Sequence, residues 1–340
     1  MTPSQLISYL TKLIKEEINI STMIWGPPGI GKSSVVASAA KDAGINFIDL
    51  RLSQLAPTDL RGLPVPVHPS TEEILGTSKW YPPEFLPREG KGILFLDELN
   101  MAPPAMQGVA QQLILDRKIG NYDVPPGWLV WAAGNRKQDR ASVFEMPTPL
   151  ANRFIHLEVE VNYECFKSHA LRKNFAEQII AFLAFRPALL HKINDDQKAW
   201  PSPRSWEMAS HLYKADLPIN PAIGDGASAE FNSYINTYKK VPDLAAILAG
   251  KGEKLKFPKQ VSCQWATTTG LTSRSKKPKE VQEVFRWLIK QATPEWVQLY
   301  ASDIVNQFKQ QNQLGRLAGV VMNDSEIHKY LKGYEELLKK

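Results

Sequence analysis

Short apolar runs alternate with helical patterns over the first 160 residues of the chain. Each run covers four to six residues, which suits a strand buried on both faces of a parallel sheet. The predicted strands are 20–25, 46–50, 93–96, 129–133 and 154–159. Apolar residues at helical spacing, such as Leu6, Leu10 and Leu13, mark the stretches between them. The predicted helices are 3–17, 34–43 and 104–115. This alternation predicts an α/β domain over residues 1–160.

The pattern changes from residue 161, where helical stretches dominate. The predicted helices are 163–172, 174–185, 204–215, 280–292, 294–311 and 323–339. Residues 216–279 mix proline, glycine and basic side chains, and we expect long loops there around a short helix near 242–249. The sequence therefore predicts an α/β core followed by an all-helical second domain over residues 161–340.

Two segments interrupt the α/β pattern. Residues 52–91 are proline-rich and show no periodicity, so we expect an irregular insertion that projects from the domain. Residues 118–128 resemble a β-hairpin that turns at Gly120-Asn121. A loop as long as the first segment is usually functional, which makes it a candidate contact surface.

The overall composition is ordinary for a soluble protein, with 43% apolar and 22% charged residues. No apolar run approaches the roughly 20 residues that span a bilayer. The two cysteines, Cys165 and Cys263, are too few for a disulfide framework and fit a reducing compartment. Cys165 and His169 could lie one helical turn apart, but further ligands are not evident, so we expect no metal site there. We expect a cytoplasmic protein that does not enter a membrane.

The net charge of +6 comes from a single segment, 251–279, which contains eight basic side chains and one acid. The rest of the chain carries a charge of −1. The basic side chains are Lys251, Lys254, Lys256, Lys259, Arg274, Lys276, Lys277 and Lys279. Basic residues around Trp265 suit contacts with nucleic acid. A solvated, mobile loop whose lysines keep the domain soluble explains the same pattern, and we favour that interpretation.

A glycine-rich segment joins the first predicted strand to the helix over 34–43. It reads Gly26-Pro27-Pro28-Gly29-Ile30-Gly31-Lys32-Ser33 and is followed by Ser34. A loop between strand and helix is the context of a phosphate-binding loop, because backbone N–H groups converge on phosphate oxygens and the helix dipole favours their charge. Lys32 would reach the β- and γ-phosphates, and Ser33 would offer its hydroxyl to Mg²⁺. The chain is therefore predicted to bind a nucleoside triphosphate.

Two carboxylates, Asp97 and Glu98, follow the apolar run over 93–96. The carboxyl ends of the strands are where an open α/β sheet places its chemistry. Asp97 would then hold Mg²⁺ through its water shell, opposite Ser33, and Glu98 would polarise the attacking water. Asn135 follows the strand over 129–133 and would lie beside the γ-phosphate if the two strands are neighbours. A lone asparagine at a strand end is otherwise more often a turn residue.

Together with Arg153 and Arg204, these motifs resemble an AAA+ ATPase. The motif wording is similar to the MoxR-like branch of that family, which carries an insert in its second helix. The four stretches that carry this similarity are Gly26-Pro27-Pro28-Gly29, Asp59-Leu60-Arg61-Gly62, Asp97-Glu98-Leu99-Asn100 and Asn152-Arg153-Phe154. The resemblance is strong over 20–160, weaker over 200–215, and not specific beyond residue 216.

The resemblance implies a role for each motif. The segment from Gly26 to Ser33 is similar to Walker A, and Asp97 with Glu98 is similar to Walker B. Asn135 is similar to the sensor of the γ-phosphate. The insertion over 52–91 matches the helix-2 insert, and 118–128 matches the hairpin before the first sensor.

Two arginines complete the resemblance. Arg153 looks like the arginine finger that acts on the nucleotide of a neighbouring subunit, and Arg204 looks like the second sensor on a helical lid. Arg136 and Arg140 also lie near the expected subunit boundary, and Arg140 is the reserve candidate for the finger. A finger supplied in trans makes hydrolysis depend on assembly. We therefore expect a homo-oligomeric ring, most often a hexamer in this family.

Proteins of this branch typically remodel or assemble a client with a partner that bears a von Willebrand factor A domain. We accordingly expect a magnesium-dependent ATPase of that kind. The alternative is a nucleic-acid-associated motor or loader that uses the segment 251–279. A third possibility, a nucleotide-gated scaffold with little turnover, is disfavoured because Glu98 and Asn135 normally serve hydrolysis.

Overall fold

A computed structural model of the chain describes residues 1–67, 77–139, 143–194, 197–238, 240–321 and 323–330. The chain divides into two compact units, Met1–Asn162 and Tyr163–Lys340. The first unit is built on a β-sheet, and the described part of the second unit consists of helices and their connections.

The first unit contains an open sheet of five parallel strands in the order β2-β5-β8-β1-β9. The strands are β1 (Thr22–Trp25), β2 (Asn46–Arg51), β5 (Gly92–Asp97), β8 (Trp128–Gly134) and β9 (Ile155–Glu158). Two short antiparallel ribbons pair β3 (Leu63–Val67) with β4 (Thr77–Tyr81) and β6 (Lys118–Ile119) with β7 (Tyr122–Asp123). The predicted parallel α/β fold is confirmed.

Helices cover both faces of this sheet. The helices of the first unit are α1 (Pro3–Lys15), α2 (Lys32–Ala43), α3 (Pro57–Arg61), α4 (Pro104–Leu115) and α5 (Thr148–Ala151). Because successive side chains of a strand point to opposite faces, β5 sends Ile93 and Phe95 into the core beneath α1 and α2. Its Leu94 and Leu96 enter the core beneath α4. The uninterrupted apolar runs of the sequence reflect this burial on two sides.

The insertion over 52–91 is more regular than the sequence predicted. Its described part contains α3 and the antiparallel ribbon of β3 and β4, so the expectation of an irregular segment is wrong. Pro64 and Pro66 led to the prediction of an irregular segment, because proline cannot donate to the hydrogen-bond ladder of a sheet. In a two-stranded ribbon the N–H of every second residue points away from the partner strand. Pro64 and Pro66 are two residues apart on β3 and occupy positions of this kind.

The second unit is helical wherever the structure describes it. Its helices are α6 (Tyr163–Arg172), α7 (Glu177–Phe185), α8 (Pro203–Lys214), α9 (Asn220–Ile223), α10 (Asp225–Tyr238), α11 (Leu244–Leu248), α12 (Val261–Arg274), α13 (Pro278–Gln291), α14 (Pro294–Gln310) and α15 (Leu314–Val321). The helix predicted over 323–339 is described only to residue 330, where residues 325–330 are helical.

The prediction of long loops over 216–279 is wrong, because α10 and α12 lie within that segment. The sequence of α12 contains three consecutive threonines and a glycine, which are poor helix formers. Their side chains are buried because α12 packs against α7 and α14, so tertiary packing overrides local preference. Arg274, at the end of α12, also donates two hydrogen bonds to the carboxylate of Glu177 on α7.

None of the helices in the described parts of the chain combines the length and the apolar character that a membrane crossing requires.

Candidate functional site

The phosphate-loop sequence connects β1 to α2 as predicted. The loop begins at Gly26, directly after β1, and α2 begins at Lys32. Gly31 precedes the helix with a φ of +89°, a left-handed conformation that favours glycine. Gly26 has no room for a side chain, because an added Cβ would lie 2.7 Å from Cδ1 of Ile30. The glycines therefore permit the sharp entry into α2 that directs its first N–H groups toward an anion.

Lys32 and Asn135 meet at the centre of the site. The Lys32 ammonium donates to Oδ1 of Asn135 at 2.8 Å, and also to the carbonyls of Gly26 at 2.8 Å and Pro27 at 3.2 Å. The contact exists because β8, which Asn135 follows, lies between β5 and β1 in the sheet. The structure therefore brings Asn135, predicted from the end of its strand, into contact with the phosphate loop.

Ser33 and Asp97 form the second contact of the site. The Ser33 hydroxyl donates to Oδ2 of Asp97 at 2.6 Å, and the other carboxylate oxygen accepts the N–H of Glu98 at 2.9 Å. Mg²⁺ binds oxygen ligands and commonly takes one or two from protein, with waters and substrate phosphates completing its shell. A hydroxyl and a carboxylate at this separation fit such an ion. The described residues contain no group of three or more His, Cys, Asp or Glu side chains that would hold a metal by themselves.

Glu98 has an unusual backbone and a hydroxyl partner. Its φ is +57°, a left-handed conformation that is uncommon for a residue with a Cβ. The Ser53 hydroxyl, which lies just beyond β2, donates to the Glu98 carboxylate. Nothing in the sequence marks Ser53, because its contact with Glu98 depends on the pairing of β2 with β5.

A buried asparagine holds the backbone of Asn135. The side chain of Asn100 donates to the Asn135 carbonyl at 2.8 Å and accepts the Asn135 N–H at 3.1 Å. Gly134 leaves room for this clamp, since an added Cβ there would lie 2.4 Å from Oδ1 of Asn100. The sequence analysis noted Asn100 only as part of a motif, and its position after two carboxylates did not reveal this contact.

We expect Asn100→Ala to lower the free energy of unfolding by about 2–4 kcal/mol, because it leaves two buried backbone groups of Asn135 without their partner. Urea unfolding curves would measure this difference. Asn152→Ala is the matched control, since Asn152 is exposed and its loss should cost less than about 0.5 kcal/mol. Equal stability of the two variants would contradict the clamp.

A third carboxylate, Asp49, lies near Asp97 and Glu98. Asp49 is on β2, and its pKa is raised by partial burial and further by the negative charge of Asp97. The nearby Arg51 guanidinium opposes this shift. Negative charge is therefore concentrated at the carboxyl edge of the sheet, and a bound cation would reduce the repulsion between these carboxylates.

The four arginines named from the sequence differ in their surroundings. Arg153 lies in the turn between α5 and β9 with an exposed side chain. Arg136 makes two hydrogen bonds to the Asp139 carboxylate, and this contact raises the pKa of the guanidinium. Arg140 lies outside the described residues. Arg204 is in the first turn of α8, in the second unit, and is exposed.

Comparison with known families bears on the first unit. Residues 22–156 match the model of the ATPase family associated with various cellular activities (AAA). The matched stretch runs from β1 into β9 and contains the phosphate loop, Asp97, Glu98 and Asn135. The first unit therefore carries an AAA ATPase domain, a family assignment that supports ATPase activity in general terms. The second unit lies outside the match.

Solved structures that resemble this chain include RuvB of Thermotoga maritima, described as a Holliday junction branch migration motor. It is 15% identical, with coverage of 74% of this chain and 75% of that chain and a TM-score of 0.39. NtrX from Brucella abortus in complex with ATP is 15% identical, with coverage of 87% and 67% and a TM-score of 0.41. No protein of curated function matches the chain.

Proposed function

We propose that this chain is a magnesium-dependent ATPase of MoxR type that works as a homo-oligomeric ring, remodelling or assembling a client protein in the cytoplasm. The observation that carries this proposal is the convergence of Lys32, Ser33 and Asn135 with the two Walker B carboxylates at one edge of the sheet. Phosphoryl transfer needs positioned charge more than covalent chemistry, and this set of residues supplies it.

Each side chain of the site has a distinct task in the proposed reaction. The Lys32 ammonium, held by two loop carbonyls and Asn135, neutralises the β- and γ-phosphate oxygens. Ser33 and Asp97 would hold Mg²⁺, which would supply positive charge against the negative charge that develops during phosphoryl transfer. Glu98 orients the attacking water and accepts its proton. Arg204 would act as the second sensor, on a lid formed by the helical unit.

Two surfaces of the first unit support the assembly and client parts of the proposal. Arg153 is exposed, as an arginine that acts on a neighbouring subunit must be. The ribbon of β3 and β4 also exposes Leu63, Val65 and Tyr81, and apolar side chains grouped on one exposed ribbon suit contact with another protein. We propose that this ribbon meets the client or a partner that bears a von Willebrand factor A domain.

We expect Lys32→Ala to weaken ATP binding by roughly ten- to hundredfold, because it removes charge-assisted hydrogen bonds to phosphate. Titration with a fluorescent ATP analogue would measure the dissociation constant. Lys41→Ala is the matched control, since Lys41 lies at the other end of the same helix and is exposed. Unchanged affinity in the Lys32 variant would refute the nucleotide site.

The second candidate function is a nucleic-acid-associated motor. Four lysines of the connection before α12 are exposed, which favours contact with phosphates: Lys251, Lys254, Lys256 and Lys259. Trp265 gives the nucleic-acid function less support, because its ring packs edge-on against Trp296 at a centroid distance of 5.0 Å. The interpretation of 251–279 as a mobile loop is wrong for residues 261–274, because these residues form α12.

Salt-titrated binding separates the two candidates. A nucleic-acid motor should bind single- or double-stranded DNA with an affinity that falls steeply as salt rises. Replacing the four lysines with alanine should then reduce both the affinity and the salt dependence. We expect no such binding from the remodelling ATPase, and steep salt-dependent binding that the four substitutions abolish would favour the motor.

A further inference from the structure

His156 connects the turn that carries Arg153 to the strand that leads into the phosphate loop. It lies on β9, the edge strand of the sheet, and its side chain is exposed. Its Nδ1 accepts a hydrogen bond from the indole N–H of Trp25 at 2.9 Å. Its Nε2 lies 2.9 Å from the carbonyl oxygen of Ala151. The imidazole ring therefore bridges two segments that are distant in the chain.

The two contacts determine which ring nitrogen of His156 carries the proton. An indole N–H can only donate, so Nδ1 must be the acceptor. A carbonyl oxygen can only accept, so Nε2 must carry the proton and donate it to the carbonyl of Ala151. Both nitrogens are then engaged in directed hydrogen bonds, and the orientation of the ring is fixed from both sides.

Trp25 provides a firm anchor for the imidazole. It is the last residue of β1, directly before Gly26 of the phosphate loop, and it packs against the core beneath α4. Its ring system lies nearly parallel to the imidazole, with an interplanar angle of 13° and a centroid distance of 6.0 Å. Because β1 lies inside the sheet, between β8 and β9, His156 is attached to the sheet and not to another loop.

On its other side, His156 holds the turn that presents Arg153. The carbonyl of Ala151 accepts the N–H of Phe154 at 3.2 Å, which makes Arg153 the third residue of a tight turn. The same carbonyl accepts the Nε2 proton of His156. The buried ring of Phe154 also meets the imidazole edge-on, at a centroid distance of 6.3 Å. The backbone from which the Arg153 side chain extends is therefore oriented by His156.

We propose that His156 is a positioning residue for Arg153, because it fixes the turn from which the guanidinium reaches the ATP of a neighbouring subunit. This inference rests on the proposed role of Arg153 as a finger supplied in trans. A guanidinium stabilises developing charge only when it is placed correctly, so a small displacement of its turn slows the reaction. His156→Ala should lower turnover at saturating ATP by roughly five- to fiftyfold and leave the KM for ATP nearly unchanged.

Mixed rings test the proposal, because they separate the subunit that holds ATP from the subunit that supplies the arginine. In a ring of Glu98→Gln and Arg153→Ala subunits, ATP is hydrolysed by an Arg153→Ala subunit with the arginine of a Glu98→Gln neighbour. His156→Ala in the Glu98→Gln subunits should lower this turnover by roughly five- to fiftyfold. The same substitution in the Arg153→Ala subunits is the matched control and should leave turnover nearly unchanged. A general loss of stability would affect both placements alike.

Two further substitutions in the Glu98→Gln subunits test the hydrogen bonds of His156 separately. Trp25→Phe keeps an aromatic ring beside the imidazole but removes the indole N–H. His156→Gln keeps a donor for the carbonyl of Ala151 but removes the acceptor for Trp25. Each should lower turnover, and by less than His156→Ala does. Since these subunits do not hydrolyse ATP, an effect of Trp25→Phe on their own phosphate loop does not enter the measurement.

The outcomes distinguish this inference from the function on which it rests. If mixed rings with an intact His156 recover activity, but His156→Ala has the same effect in either kind of subunit, the positioning role is overturned and the finger in trans stands. Full turnover with His156→Ala in the Glu98→Gln subunits overturns the positioning role as well. If mixed rings with an intact His156 recover no activity, the finger in trans is refuted, and the role of His156 is refuted with it.

Discussion

Replacing Glu98 with glutamine is expected to slow ATP hydrolysis by about 10²–10⁴-fold while ATP still binds. The amide keeps the size of the side chain but cannot accept a proton from the attacking water. The Lys32, Ser33 and Asp97 contacts do not involve this carboxylate, so phosphate and magnesium binding should persist. Phosphate release under steady-state conditions, with nucleotide affinity measured in parallel, would separate the two effects.

Glu84→Gln provides a control for Glu98→Gln, because Glu84 is an exposed residue of the same unit. Its turnover should match that of the unmodified protein. Full turnover by the Glu98 variant would remove the proposed hydrolytic role. If turnover is lost as expected, the variant remains bound to ATP, and affinity purification in that state would retain a client or partner for identification.

Replacing Arg153 with alanine is expected to reduce ATP turnover of the assembled protein by roughly 10³–10⁵-fold. An arginine supplied across a subunit boundary stabilises negative charge that develops on the transferred phosphoryl group. Its loss should leave ATP affinity and assembly largely intact, because the side chain is exposed. Turnover at matched oligomer concentration measures the effect, with Arg88→Ala as an exposed control.

Mixing two inactive variants tests whether Arg153 acts in trans. A ring assembled from Glu98→Gln and Arg153→Ala subunits contains some boundaries where an intact Glu98 faces an intact Arg153. Such boundaries should recover a measurable fraction of the lost activity. No recovery in demonstrably mixed rings would contradict a finger supplied in trans. If Arg153→Ala keeps full turnover and Arg140→Ala loses it, the finger is Arg140.

The local parts of the site were predictable because their chemistry follows from short segments. The phosphate loop needs glycines before a helix, and that requirement is met within the eight residues from Gly26 to Ser33. The strand β5 was equally clear, since a strand buried on both faces appears as an unbroken apolar run, here one that ends in Asp97 and Glu98. Only the approximate ends of these elements needed adjustment.

Other features were hidden because they depend on packing. The helix α12 combines threonines with a glycine, and its stability comes from α7 and α14 rather than from its own sequence. The ribbon of β3 and β4 was obscured by Pro64 and Pro66, which are tolerated only because of the register of that pair. Neither case could be recognised from periodicity alone.

The order of the five sheet strands along the chain, the phosphate loop and the carboxylates of Asp97 and Glu98 could be read from the sequence, because each is encoded by residues adjacent in the chain. The position of β8 between β5 and β1, which brings Asn135 to Lys32, is visible only in the folded sheet. The same sheet pairing places Ser53 against Glu98 and Asn100 against Asn135. Strand order depends on contacts between distant segments, and no local pattern records it.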